Sequence, residues 1–197
     1  MLTLGMRREK SQQGTTMLEV LVTIVILAFG MLGLAGLQGK IFTAEMESYQ
    51  RAQAVVLMNS MVERINANRN AAATYVLAAG TSLGTGDAQP TDCSGVAAGL
   101  ARDQCEWSNA LKGAAETSGA NKVGGAIGAR GCVIQLQAEN AAGGVCTPGI
   151  YLVTVAWQGL SGTSIPGATC GQNAFGSDDR FRRAVSTRVS IGLPACQ

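Results

Sequence analysis

Of the 197 residues, 47% are hydrophobic and only 14% are charged, a balance that suits one domain with an attached apolar element rather than a soluble enzyme with an ordinary charged surface. Of the 15 basic and 13 acidic side chains, Arg7, Arg8, Lys10 and Glu9 precede residue 15, leaving 12 of each sign and no basic excess to attract nucleic acid. There is no histidine, which excludes His-based triads, His proton shuttles and most catalytic zinc sites.

The first element is an apolar run. Gly14 is followed by Thr15, Thr16, Met17 and Leu18, then by Glu19, then by twenty uncharged residues from Val20 through Gly39. Twenty helical residues span about 30 Å at 1.5 Å per residue, the thickness of a hydrocarbon core. Arg7, Arg8 and Lys10 ahead of the run predict a cytoplasmic N-terminus by the positive-inside rule. A carboxylate deep in hydrocarbon costs about 2.5–3.5 kcal/mol or more, so Glu19 calls for a partner or a function. A cleaved secretory signal, with a cleavage site at Gly33-Leu34-Ala35, is disfavoured by the length of the run and by a carboxylate at its start. A plain transmembrane anchor accounts for length and orientation but not for Glu19.

Gly14, four residues, Glu19 and then about twenty apolar residues resemble the class III signal of type IV prepilins. The resemblance implies that a membrane aspartic peptidase cuts between Gly14 and Thr15, removing residues 1–14 as a leader. It also implies that the same enzyme methylates the Thr15 amine, although phenylalanine is commoner at that place than threonine. Glu19 then becomes the fifth mature residue, and in a filament of packed helices its carboxylate meets the N-terminal ammonium of a neighbouring subunit. Breaking such a pair in a low dielectric is strongly unfavourable, so it sets docking register. In the unassembled subunit, the alternative is a Glu19 that snorkels to water at the headgroup level.

Gly30, Gly33, Gly36 and Gly39 recur every three residues. They are compatible with close helix packing, with a stretch able to unwind on leaving the bilayer, or simply with the tolerance of membrane helices for glycine. Residues 15–39 therefore form the transmembrane and filament-core helix, and residues 40–70 its amphipathic continuation. In that continuation Phe42, Met46, Tyr49, Ala52 and Val56 form one stripe, and Val55, Met58, Val62 and Ile65 a rotated one. The rotation predicts a helix of about 50 residues, roughly 75–80 Å long, whose first half packs on neighbours and whose second half packs on its own head.

Residues 71–197 form the head. Residues 71–86 read as an irregular connection. Strands are predicted at 132–137 (Cys132, Ile134 and Leu136 on one face), 150–157 (Tyr151, Val153, Val155 and Trp157) and 184–191 (Val185, Thr187, Val189 and Ile191). Gly-rich residues 142–149 and 159–171 are loops. A long helix followed by a small antiparallel sheet is an α+β layout, and it is also the layout of the pilin family.

Cys93, Cys105, Cys132, Cys146, Cys170 and Cys196 all follow the apolar run, with no CxxC pair. They predict disulfides in an oxidising compartment rather than a redox motif or a metal site. Six cysteines allow 15 pairings; the sequence-local choice is Cys93–Cys105, Cys132–Cys146 and Cys170–Cys196, the last resembling the C-terminal disulfide of many pilins. Arg180, Arg182, Arg183 and Arg188, with Asp178 and Asp179 alongside, read as a solvated strand face rather than a DNA contact. No Walker loop, dinucleotide fingerprint or Ser-centred nucleophile motif is present, so neither an enzyme nor a cofactor is expected.

Leu18-Glu19-Val20-Leu21-Val22, Phe29-Gly30-Met31-Leu32-Gly33-Leu34, Gln53-Ala54, Met61-Val62-Glu63-Arg64-Ile65 and residues 151–157 are similar to minor pilins of the PilV family. That resemblance implies a single-pass inner-membrane protein with a periplasmic head that later joins the pilus at the cell surface. Its partners would be other minor pilins, the major pilin, the prepilin peptidase and the inner-membrane assembly platform. It would act in pilus assembly and priming, and so in adhesion, twitching motility or surface sensing. A minor pseudopilin of type II secretion and a membrane-anchored adhesin are the alternatives.

Overall fold

The computed structural model describes residues 14, 16–114, 117–119, 121–122, 124–142 and 145–193. Its first element is helix α1, Met17–Ala67, of 51 residues. The chain divides into two compact units at residue 44. In the first unit no apolar side chain of the helix is buried among the described residues: Met17, Leu18, Phe29, Met31 and Leu32 are all more than two-thirds exposed. The helix passes through Gly30, Gly33, Gly36 and Gly39 unbroken, with open space where each Cβ would stand. It is long and apolar enough to cross a membrane.

The second unit is the head, into which the C-terminal part of α1 is built. Gln50, Ala54, Leu57, Met58, Met61 and Ile65 are its buried residues, spaced at the 3.6-residue period of one helical face. This stripe differs from the first expected one. Tyr49 and Val56 are 50% and 64% exposed, so that stripe points to solvent, and from the second stripe only Met58 and Ile65 are fully buried. Residue type did not separate the two faces, because both are apolar.

The sheet has the order β1-β4-β5-β6 and is antiparallel throughout, with β1 at Leu83–Gly84, β4 at Arg130–Gln137, β5 at Gly149–Gln158 and β6 at Arg182–Ile191. Thr117–Ser118 and Asn121–Lys122 form a separate two-stranded ribbon, β2 and β3. All three expected strands are present, each extended by one or two residues. Tyr151, Val153, Val155 and Trp157 face the helix, together with Val133, Val189 and Ile191. Period-2 alternation grouped the inward residues of β5 and β6 correctly. On β4 the expected set of Cys132, Ile134 and Leu136 lies instead on the outward face, with Ile134 and Leu136 37% and 46% exposed, and Val133 is the residue that packs inward. A bulge between Gln135 and Gln137 shifts the β4–β5 register near the end of β4.

Two elements fall where an irregular chain was expected or nothing was assigned. Residues Arg69–Tyr75 wind as a 3-10 helix that buries Ala72 and Tyr75, and helix α2 spans Leu100–Leu111. In α2, Trp107 is fully buried and its Nε1–H donates to the Leu57 carbonyl at 2.8 Å, so α2 is tied to α1 by a side-chain bond. The indole lies flat against β4 at Gly131, where an added Cβ would overlap its six-membered ring. Gly131 is therefore glycine because of Trp107. Gly113, at φ 83°, stands just past the end of α2 and supplies the left-handed backbone that commonly stops a helix.

Two disulfides pin the connections to these elements, Cys93–Cys105 and Cys132–Cys170. The second overturns the expected Cys132–Cys146 and Cys170–Cys196 pairings. Cys132 lies opposite Thr154 at the beginning of β4, whereas Thr147 bridges Asn140 beyond its end. Cys146, itself disulfide-bonded, is therefore at the opposite end of the hairpin from Cys132. Cys170 is brought over Cys132 by the loop before β6, where both pack with Ala156 and Phe175. Cys196 lies outside the described residues.

Candidate functional site

The N-terminal site is built around one helix start. Thr16 precedes α1, and the Glu19 backbone N–H donates to the Thr16 carbonyl at 3.0 Å and reaches its Oγ1 at 3.4 Å. Thr16-Met17-Leu18-Glu19 thus has the S/T-x-x-E spacing of a capping box, with Thr16 as N-cap and Glu19 at N3. The spacing is legible in the sequence, but the apolar run drew attention to the glutamate alone. Glu19 is the acidic residue of the first turn, where a carboxylate is stabilised by the N-terminal end of the helix dipole. Its side chain is exposed and has no ion pair among the described residues. Gly14 is exposed with open space around it. Thr15, expected at the cleavage and methylation site, lies outside the described residues.

The head presents two polar joints to α1. In one, Glu47 accepts from the backbone N–H groups of Leu160 and Ser161, from Ser161 Oγ and from Arg183 Nη2 at 3.1–3.3 Å. Burial raises the Glu47 carboxyl, but these hydrogen bonds and the Arg183 charge together hold it below its usual value. In the other, Arg64 Nη1 donates to Asp103 at 2.7 Å and to Glu106 at 2.9 Å, linking α1 to α2. Tyr75 closes that joint: its hydroxyl donates to Asp103 and accepts from Asn68 Nδ2 at 2.7 Å. Burial, then the bond to Asp103, pushes the Tyr75 hydroxyl up to about 12.

The arginine cluster is not a solvated face. Arg182 is 2% exposed and pairs with buried Asp179 at 3.2 Å. Its guanidinium also donates to the carbonyls of Ala168, Cys170 and Pro166, gathering the loop before β6. Arg183 is committed to Glu47 and to the Ser161 carbonyl. Only Arg180, paired with Asp178, and Arg188 remain exposed. The alternation that places Arg182 on the strand is blind to the carbonyls that a returning loop brings to it. Among the described residues no cluster of His, Cys, Asp or Glu could hold a metal ion.

A long apolar helix whose C-terminal part packs on a small four-stranded antiparallel sheet is the α+β fold of a type IV pilin. Residues 36–107 match the family model described as Tt1218-like, type IV pilin Tt1218, and residues 10–35 match the prokaryotic N-terminal methylation motif. Together the two matches run over residues 10–107, and the type IV pilin family they describe is structural rather than enzymatic. The prepilin signal and the apolar helix describe a membrane-anchored pilin. No curated protein and no solved structure matches the chain.

Proposed function

We propose that this protein is a minor pilin of the PilV type, taking part in the assembly and priming of a type IV pilus. In this reading it waits in the inner membrane with its head in the periplasm. The leader is cut between Gly14 and Thr15, the Thr15 amine is methylated, and the mature helix then leaves the bilayer for the fibre. The observation that carries the reading is the helix from Met17 onward, which has an exposed carboxylate, Glu19, in its first turn and exposes its apolar side chains along its length. Such a surface is tolerable only in lipid or among other helices. Glu19, with no ion pair among the described residues, supplies the docking charge for a neighbour's N-terminal ammonium. Other minor pilins, the major pilin and the assembly platform are the partners this implies, and adhesion, twitching motility or surface sensing the processes served.

Mass spectrometry of the mature N-terminus tests processing. The expected result is a chain beginning at methylated Thr15, and the intact leader when the prepilin peptidase is deleted. An N-terminus unchanged by that deletion would leave only a membrane-anchored adhesin. Deleting the gene itself should reduce surface pili and leave secreted hydrolases unchanged. The reverse pattern would assign the chain to a type II secretion pseudopilus.

A further inference from the structure

We propose that a cavity on the outward face of the sheet is a binding site for a small carboxylate on an aliphatic stem, with Arg130 as its anion contact. The cavity measures about 670 Å³, within the range of small-ligand sites. Its floor is Ile134 on β4 with Leu152 and Thr154 on β5, and its walls are residues 77–82 and 167–174. Arg130, at the start of β4, lines the same space.

Arg130 is the group that asks for a ligand. Its Nε is buried without a hydrogen-bond partner, and its guanidinium has no ion pair among the described residues. The side chain as a whole is half-buried, but an N–H held out of water without an acceptor is unfavourable, and the penalty is relieved by a carboxylate that accepts from the guanidinium fork. The head's own buried carboxylates are already committed. Asp87 is held by Lys112 and by the backbone N–H groups of Gly84 and Gln89. Asp179 is held by Arg182 and by the Asn173 N–H. Among the described residues no carboxylate pairs with Arg130, so the proposed acceptor is one supplied by a ligand.

The site is built in advance of any ligand. A Cβ at Gly86 would stand 3.3 Å from Arg130 Nη2, and one at Gly171 3.4 Å from Arg130 Cδ, so two glycines leave room for the side chain. The wall at 167–174 is fastened by the Cys132–Cys170 bridge and by the bonds from Arg182 to three of its neighbouring carbonyls. One guanidinium suits a monoanion, and Leu77, Ile134 and Leu152 beside it suit an apolar stem. The site stands whether or not the chain enters a filament.

The test is a titration of the full-length chain in non-ionic detergent with hexanoate and, separately, with hexanamide, following the Arg130 Nε–H resonance by NMR. Hexanoate should bind saturably, move that resonance, and bind at least about tenfold more tightly than the amide, the size expected of a charge-assisted hydrogen bond. Arg130→Gln should bring hexanoate down to the level of the amide. Equal affinity for acid and amide, no saturable binding at millimolar hexanoate, or an unchanged affinity in Arg130→Gln would each overturn the proposal. Should that variant fail to fold, Ala79→Trp, at an exposed wall position, should block binding with Arg130 intact. Undiminished binding in Ala79→Trp would count equally against the site.

Discussion

Glu19 serves two different demands at one position. Within the chain it stands at N3 with capping-box spacing to Thr16, which accepts from its backbone N–H, and in the proposed filament it is the charge that a neighbour's ammonium meets. Glu19→Gln separates them, because glutamine still serves a capping box while the charge is gone. The expected outcome is loss of the protein from sheared pilus fractions, with the melting temperature of the head unchanged. A variant recovered in pili at the native level would refute the docking role. Tyr75 gives a residue-scale prediction inside the head. Its hydroxyl is raised from 10.0 to about 12 by burial and by Asp103, so the folded state favours the protonated form. That contribution is fully present below the unfolded value near pH 10 and is lost as pH rises through about 12. Alkaline unfolding followed by circular dichroism should therefore begin near pH 10, and Tyr75→Phe should remove the component between pH 10 and 12. A Tyr75→Phe profile that overlays the native one would contradict this account.

At the element scale, legibility followed the period of the pattern. Strands β4, β5 and β6 were visible because a sheet covered on one face imposes strict alternation, as Tyr151, Val153, Val155 and Trp157 show. Helix α2 was not, although Asp103 in its first turn and Gly113 past its end are ordinary start and stop signals. Its large apolar side chains are only Leu100, Trp107 and Leu111, and Trp107 docks the helix through Leu57 and Gly131. Arg182 shows the opposite failure, a charge that reads as surface and is buried. It holds the loop before β6 through Asp179 and three carbonyls. Breaking a buried pair from one side costs about 3–5 kcal/mol, so Arg182→Ala should destabilise the head by that order in urea unfolding. Arg188→Ala, on the same strand but exposed, should stay within about 0.5 kcal/mol of the native protein. Equal effects at the two positions would show that burial is not what distinguishes them.

For the whole molecule, two solvents divide the chain. The helix from Met17 exposes its apolar side chains in the isolated chain, while the head buries a helix stripe, two tryptophans and one sheet face in a single core. Placing an arginine at Leu27, within the uncharged run, costs about 2.5–3.5 kcal/mol of membrane insertion. Leu27→Arg should therefore shift the protein toward the carbonate-extractable fraction while leaving the disulfides of the head intact, and an unchanged membrane fraction would sink the spanning role. The amino-acid sequence by itself determined the apolar run, its lone carboxylate, the leader motif and the inward faces of β5 and β6. Each of those is a local pattern, repeated along the chain and set by the periods of helix and strand. Only the tertiary structure decided that Cys132 bonds Cys170, that Arg182 lies inside, that Trp107 demands a glycine at 131, and which of two apolar stripes on α1 is buried. Those depend on which segments meet across long loops, and contacts between residues far apart in the chain leave no period in the sequence to read.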